Sequence, residues 1–185
     1  MSEFSAAFDF VMQHEDASRS GRVTEDAGGR TRFGIAQKFH PNLPETFFTG
    51  PADAALKTAE QILRRDYWQP MRLAELRDQK LANKLFDMAV NMGVHQAAIY
   101  AQRTVNGLII GARTLNTSGA EMQPLQLVKE DGVIGSRTLG TLNSADPAKL
   151  YPLLCEWSRR HYEHVAAINP AQAINLQGWL KRAEA

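Results

Sequence analysis

The stretch that decides the fold runs from Phe4 to Ile35, FSAAFDFVMQHEDASRSGRVTEDAGGRTRFGI. Phe4, Phe8 and Val11 stand at steps of four and three, the spacing of one apolar stripe along a helix, and four residues further the stripe reaches Glu15. A carboxylate at the end of such a stripe is disfavoured as an anion twice over, by desolvation and by the negative end of the helix dipole. That is the condition for a proton donor. The alternative is that Glu15 stands just past the helix end, in water. From Ser18 to Phe33 the chain turns polar, with Gly21 and the pair Gly28 and Gly29 as turn formers between short β-capable runs, which predicts a small hairpin. Asp26 lies eleven residues after Glu15 and Thr31 five after that, so a helix end would face a hairpin that carries polar groups. Cleavage of a glycosidic bond needs such a pair of walls, with a protonated carboxyl for the leaving oxygen on one and a polar group for water or oxocarbenium charge on the other.

Outward from this stretch the periodicity is mostly helical. Ile35 begins a short helical run stopped before Pro41, loop follows to about Thr49, and Leu56, Ala59, Leu63 and Tyr67 mark a helix that Pro51 opens and Pro70 ends. Leu81, Leu85, Met88 and Met92 form the next stripe, closed by Gly93, and Ala97 to Val105 succeeds it. Between Gly107 and Gly135 the pattern fails, and an insert or ribbon is expected. Ser136 is placed to cap a short helix, a long helix from Pro147 carries Leu150, Leu154, Trp157 and His161 on one face, and a last helix holds Trp179.

Composition narrows the function. The 185 residues include 21 basic and 20 acidic ones for a net charge of +1, which offers no electrostatic footprint for nucleic acid. No apolar run approaches the ~20 residues of a membrane-spanning helix, and the acidic, interrupted N-terminus lacks the pattern of a secretion signal. A single cysteine, Cys155, excludes an internal disulfide and reads as a small buried hydrophobe. His161 and His164 have no companion ligands at metal spacing, and Gly28 and Gly29 have no Walker lysine, so neither a metal nor a nucleotide cofactor is expected.

The segment HED…EDAGGRTRFGIA resembles the active-site region of the N-acetylmuramidase family also called secretion activator proteins, glycoside hydrolase family 108, and more distantly the phage-type lysozymes. In that family a helix ends in a catalytic glutamate within Glu-Gly-Gly, followed by Asp-Pro-Gly-Gly-x-Thr-x-x-Gly-Ile. Here the glutamate is Glu15 and the run extends from Asp26 to Ile35 with Thr31, Gly34 and Ile35 in place. The resemblance continues through Tyr67 and Trp68, the helix FDMAVNMG with Asp87 and Asn91, the stretch DGVIGSRT from Asp131 to Thr138, similar to the turn of small peptidoglycan-binding modules, and a closing Gly-Trp-x-x-Arg at Gly178 to Arg182. Two departures fall at the cleft: Asp16 and Ala17 replace the glycine pair, and Ala27 replaces the proline. An inward-pointing Asp16 would add a negative neighbour to Glu15.

The resemblance implies a mainly α, lysozyme-like α+β fold: a helical bundle with one small β-hairpin beside the active-site cleft. Residues 1–95 would be the catalytic region and 96–185 a helical peptidoglycan-binding-like region packed against it. Glu15 would be general acid, Asp26 would stabilise positive charge or orient water, and Thr31 would position water; read alone, Asp26 is a turn former and Thr31 an ordinary strand residue. Phe33, Trp68, Asp87 and Asn91 would touch substrate, although aromatic residues at helix ends, Trp157 and Trp179 included, are commonly core anchors, and Asp87 with Asn91 is also explained as a packed polar pair. Carboxyls roughly 6.5–9.5 Å apart would imply inversion and a closer pair retention. The implied partner is peptidoglycan, with no stable membrane insertion, reached from the cytoplasm through a holin, a secretion system or lysis. The rivals are a lytic transglycosylase, and a wall-binding or secretion-assisting protein without activity.

Overall fold

The structure, a computed structural model, describes residues 1–26, 29–115 and 126–185, without the side chains of residues 26 and 113–115. The first apolar stripe forms helix α1, Phe4–Glu15, burying Phe4, Ala7, Phe8, Val11 and Met12. It ends where the Asp16 N–H donates to Met12 O at 2.9 Å. The expected hairpin is present and is extended by a third strand: β1 Thr24–Asp26, β2 Gly29–Arg32 and β3 Ile35–Ala36 form an antiparallel sheet in that order. Thr24 pairs with Thr31 and Arg32 with Ile35. The short helix expected from Ile35 is therefore a strand followed by a single turn. The cause is the two-residue connection Phe33–Gly34, whose φ values of +50° and +75° suit the tight turn that returns one strand beside another.

Residues 45–49, expected as loop, form helix α2, Glu45–Thr49, because Phe47 and Phe48 supply an apolar face to bury. Arginines tie it to the sheet. Arg30 makes a bidentate pair with Glu45 at 2.6 and 2.7 Å, and the buried Arg32 donates to Gly21 O at 2.7 Å, Phe47 O at 2.7 Å and Gly50 O at 2.9 Å. Helix α3, Ala52–Leu63, passes into a widened π turn, Arg64–Trp68, in which the Gln69 N–H reaches back to Arg64 O at 3.0 Å. That turn sets Trp68 edge-on against Phe4 and Phe86, both centroids at 5.6 Å.

Helix α4, Gln79–Met92, starts with the Asp78 carboxylate accepting from Leu81 N at 2.8 Å and ends at Gly93, φ +85°. Helix α5, Val94–Leu115, runs beyond the expected end at Val105. Of the segment expected as an insert or ribbon, residues 107–115 complete this helix and residues 126–135 are strapped across it. Asn106 exchanges bonds with Val128 O (3.0 Å) and N (2.8 Å), and Gln102 with Val133 O (2.9 Å) and Gly132 N (3.0 Å). The rest of that expectation, 116–125, lies outside the described residues, as does half of the Gly28–Gly29 turn.

Helix α6, Ser136–Ser144, starts one residue earlier than a Ser136 cap would place it, since Gly135 holds the capping position. Helix α7, Pro147–Ile168, is capped by Asp146. Its buried stripe runs Leu150, Leu154, Ser158, Tyr162 and Ala166, a ridge of steps of four, so Trp157 and His161 flank the core instead of entering it. Tyr100 of α5 stacks on Trp157 at 5.2 Å and hydrogen-bonds His161 at 3.2 Å. Helix α8, Leu176–Glu184, lies on α7 with Trp179 stacked on Tyr162 at 5.4 Å. The fold is mainly α and lysozyme-like, with a small sheet at the end of the first helix. Among the described residues no helix is long and apolar enough to cross a membrane.

Trp68 is 4% exposed within this aromatic cluster. Trp68→Ala should lower unfolding free energy by about 3–5 kcal/mol, read by thermal or denaturant unfolding; a loss below about 1 kcal/mol would remove Trp68 from the core.

Candidate active site

Glu15, the last residue of α1, is 22% exposed at its side chain. One wall of its surroundings is the Phe33–Gly34 turn. A Cβ on Gly34 would stand 3.1 Å from Glu15 Cγ, 3.2 Å from Cδ and 3.3 Å from Oε2, so glycine is required there for close approach as well as for its positive φ. Phe33, 2% exposed, anchors that turn in the core, against the edge of Gly21.

The other wall comes from the far end of the chain. Arg182 Nη1 donates to Glu15 Oε1 at 2.7 Å and Arg182 Nε to Asp87 Oδ1 at 2.7 Å. Beneath them Lys84 Nζ donates to the carbonyls of Arg182 (3.0 Å) and Ala183 (2.7 Å), placing a buried cation at the C-terminal end of α8. Two carboxylates and two cations thus share one site, buried at Asp87, Lys84 and Arg182 and partly open at Glu15. Burial pushes the Asp87 carboxyl above its usual range despite the flanking Arg182 and Lys84, and burial pulls the Lys84 ammonium down. Burial also opposes the charge on Arg182, but Asp87 and Glu15 outweigh it and raise its pKa.

Asp16 takes no part in this cluster. Its carboxylate accepts from Gly21 N at 2.7 Å, Ser20 N at 3.1 Å and Ser18 Oγ at 3.0 Å, closing the loop that leads to β1. Partial desolvation raises the Asp16 pKa, but these donors prevail and hold it below the ordinary value.

The other residues singled out from sequence divide clearly. Asp26 ends β1 opposite Gly29, and its side chain lies outside the described residues. Thr31 is partly exposed on β2, on the face opposite Arg30 and Arg32. Phe33 and Trp68 are buried, Asp87 is 2% exposed and holds Arg182, and Asn91 donates to Asp87 O at 2.9 Å. Asn91 also lines a cavity of about 430 Å³ with Tyr67, His161, Tyr162 and Trp179. A second cavity of about 420 Å³, lined by His14, Asn175, Gly178, Trp179 and Arg182, lies on the Arg182 side. Trp179, expected as a core anchor, is partly exposed and faces both. Apolar rings beside a few amides suit a sugar-sized ligand. Among the described residues no group of three His, Cys, Asp or Glu side chains assembles as metal ligands.

Arg182, Lys84 and Gly34 are not among the residues that the sequence marks out as acting on substrate. The signal for Arg182 was the closing Gly-Trp-x-x-Arg, and that for Gly34 the Thr-x-x-Gly-Ile core. A buried lysine in an apolar stripe carries no such mark.

Two family models divide the chain. The one described as Glycosyl hydrolase 108 matches residues 8–93, and the one described as Predicted Peptidoglycan domain matches residues 96–184. The solved structure of Brucella abortus SagA shares the fold at 18% identity and a TM-score of 0.64, over 97% of this chain and 92% of that one. Among curated proteins none matches the chain.

Gly34→Ala should cost about 1–3 kcal/mol of stability through its positive φ and push the Glu15 side chain aside. Thermal unfolding checks this, and an unchanged midpoint would refute the turn geometry.

Proposed function

We propose that this chain, whose residues 8–93 match the glycosyl hydrolase 108 model and whose residues 96–184 match the predicted peptidoglycan domain, hydrolyses the bond between N-acetylmuramic acid and N-acetylglucosamine in peptidoglycan. The observation that carries this reading is the seating of Glu15: a partly exposed carboxyl at a helix end, between a β-turn and a buried arginine. Protonated Glu15 donates to the glycosidic oxygen, which leaves with the electron pair of the broken C–O bond. Asp26 and Thr31, on the two paired strands opposite, manage the attacking water and the oxocarbenium charge.

Residues 1–95 carry the chemistry and residues 96–185 hold the glycan strand. Asn91 offers an amide to sugar hydroxyls from the cavity it shares with Trp179. Asp87 contributes through Arg182, while Phe33 and Trp68 support the site from the core. The enzyme reaches the wall with the help of a holin or a secretion system. In this scheme the reaction requires no cofactor.

Purified sacculi incubated with wild type and Glu15→Gln, both shown folded by circular dichroism, test the proposal. Wild type should clear the suspension and release reducing ends, and Glu15→Gln should be slower by about 10²–10⁴-fold. Fragments lighter by one water, with an anhydro end, would make the protein a lytic transglycosylase. No turnover by either form, with sacculus binding retained, would leave a binding protein.

A further inference from the structure

We propose that Arg182, delivered by the last helix of the peptidoglycan domain, is a positioning residue that fixes which oxygen of Glu15 carries the proton and stabilises the carboxylate left after transfer. The proposal rests on Glu15 being the general acid.

The guanidinium engages Oε1 alone, at 2.7 Å, while Oε2 stays at the Gly34 turn. In the protonated acid, Oε1 is then the carbonyl oxygen that accepts from Arg182, and the O–H resides on Oε2. On reaction the proton passes from Oε2 to the leaving oxygen, whose bond to carbon breaks with the electron pair staying on oxygen. The negative charge that appears on Glu15 is shared by Oε1, already against a cation. Loss of the proton turns this contact from a hydrogen bond between a cation and a neutral oxygen into an ion pair, so it strengthens as the transition state forms.

The guanidinium is held for this task from three sides. Asp87, 2% exposed, fixes Nε; Lys84 fixes the backbone of residues 182 and 183; and Tyr162, stacked on Trp179, backs the helix. Among the described residues, Arg182 Nη2 is buried with no hydrogen-bond partner. A donor left unmade costs about 1–3 kcal/mol, which a residue kept only to staple α8 would avoid. Its position is set by the two carboxylates.

The test uses the full-length chain with Arg182→Ala and Arg182→Lys, assayed for kcat and KM on purified peptidoglycan, for sacculus binding and for thermal unfolding. For Arg182→Ala, kcat should fall about 10²-fold with KM and binding within about twofold of wild type. Arg182→Lys should recover part of that loss, because one ammonium satisfies only one of the two carboxylates. Added guanidinium ion at non-denaturing concentration should raise kcat of Arg182→Ala and not of Glu15→Gln. If Arg182→Ala is poorly folded, Arg182→Lys decides: kcat within about twofold of wild type overturns the proposal. A folded Arg182→Ala at wild-type kcat also overturns it. Activity surviving in Glu15→Gln would instead remove the reading on which it rests, so the two failures are distinguishable.

Discussion

The structure depends on one guanidinium placed between two carboxylates. Arg182 joins the end of α1 to α4 from the last turn of α8, so its side chain links the first and last helices of a 185-residue chain. Such a contact contributes little net stability, because desolvating the ions offsets their attraction, yet removing one partner costs about 3–5 kcal/mol by stranding the others. It therefore specifies an arrangement more than it strengthens one. Lys84 makes the arrangement self-consistent: it donates hydrogen bonds to the last carbonyls of α8, and α8 in turn delivers the cation that pairs with Asp87.

The opposite wall is built from backbone. Phe33 and Gly34 turn β2 back on β3 in a conformation that suits few side chains, and the turn lies against Glu15 as closely as glycine permits. Arg32 pins the sheet to three carbonyls, and the loop before it is closed by Asp16. Where the related motif has two glycines after the glutamate, this chain has Asp16 and Ala17; the acidic side chain supplies hydrogen bonds that shape the loop. The departure alters how the loop is held and brings no second charge to Glu15.

Local patterns were readable where one face of one element decides the outcome. The stripes of α1 and α4 and the stop at Gly93 follow from apolar spacing and glycine conformation alone, whereas spacing left open whether Glu15 closes α1 or stands just past its end. Elements decided by their neighbours were not readable. Strand β3 exists because a turn pairs it with β2, α2 because Phe47 and Phe48 find a core, and the π turn because Trp68 docks on Phe4 and Phe86. The face of α7 was misjudged by one residue in its second half, since Ser158 and Tyr162 enter the core and the larger Trp157 finds Tyr100 at its edge. The pairing of Glu15 with Arg182 spans the whole chain, and no spacing rule reaches so far; only the family motif at the C-terminus marked the arginine.

The two halves of the chain meet at the carboxyl that does the proposed chemistry, and a structure of Glu15→Gln bound to a peptidoglycan glycan fragment would show whether substrate meets it there. The scissile oxygen should lie within about 2.6–3.2 Å of the side-chain atom replacing Oε2, with Arg182 still on the other. A glycan bound with its scissile bond away from residue 15, for instance confined to the cavity between Asn91 and Trp179, would contradict the assignment.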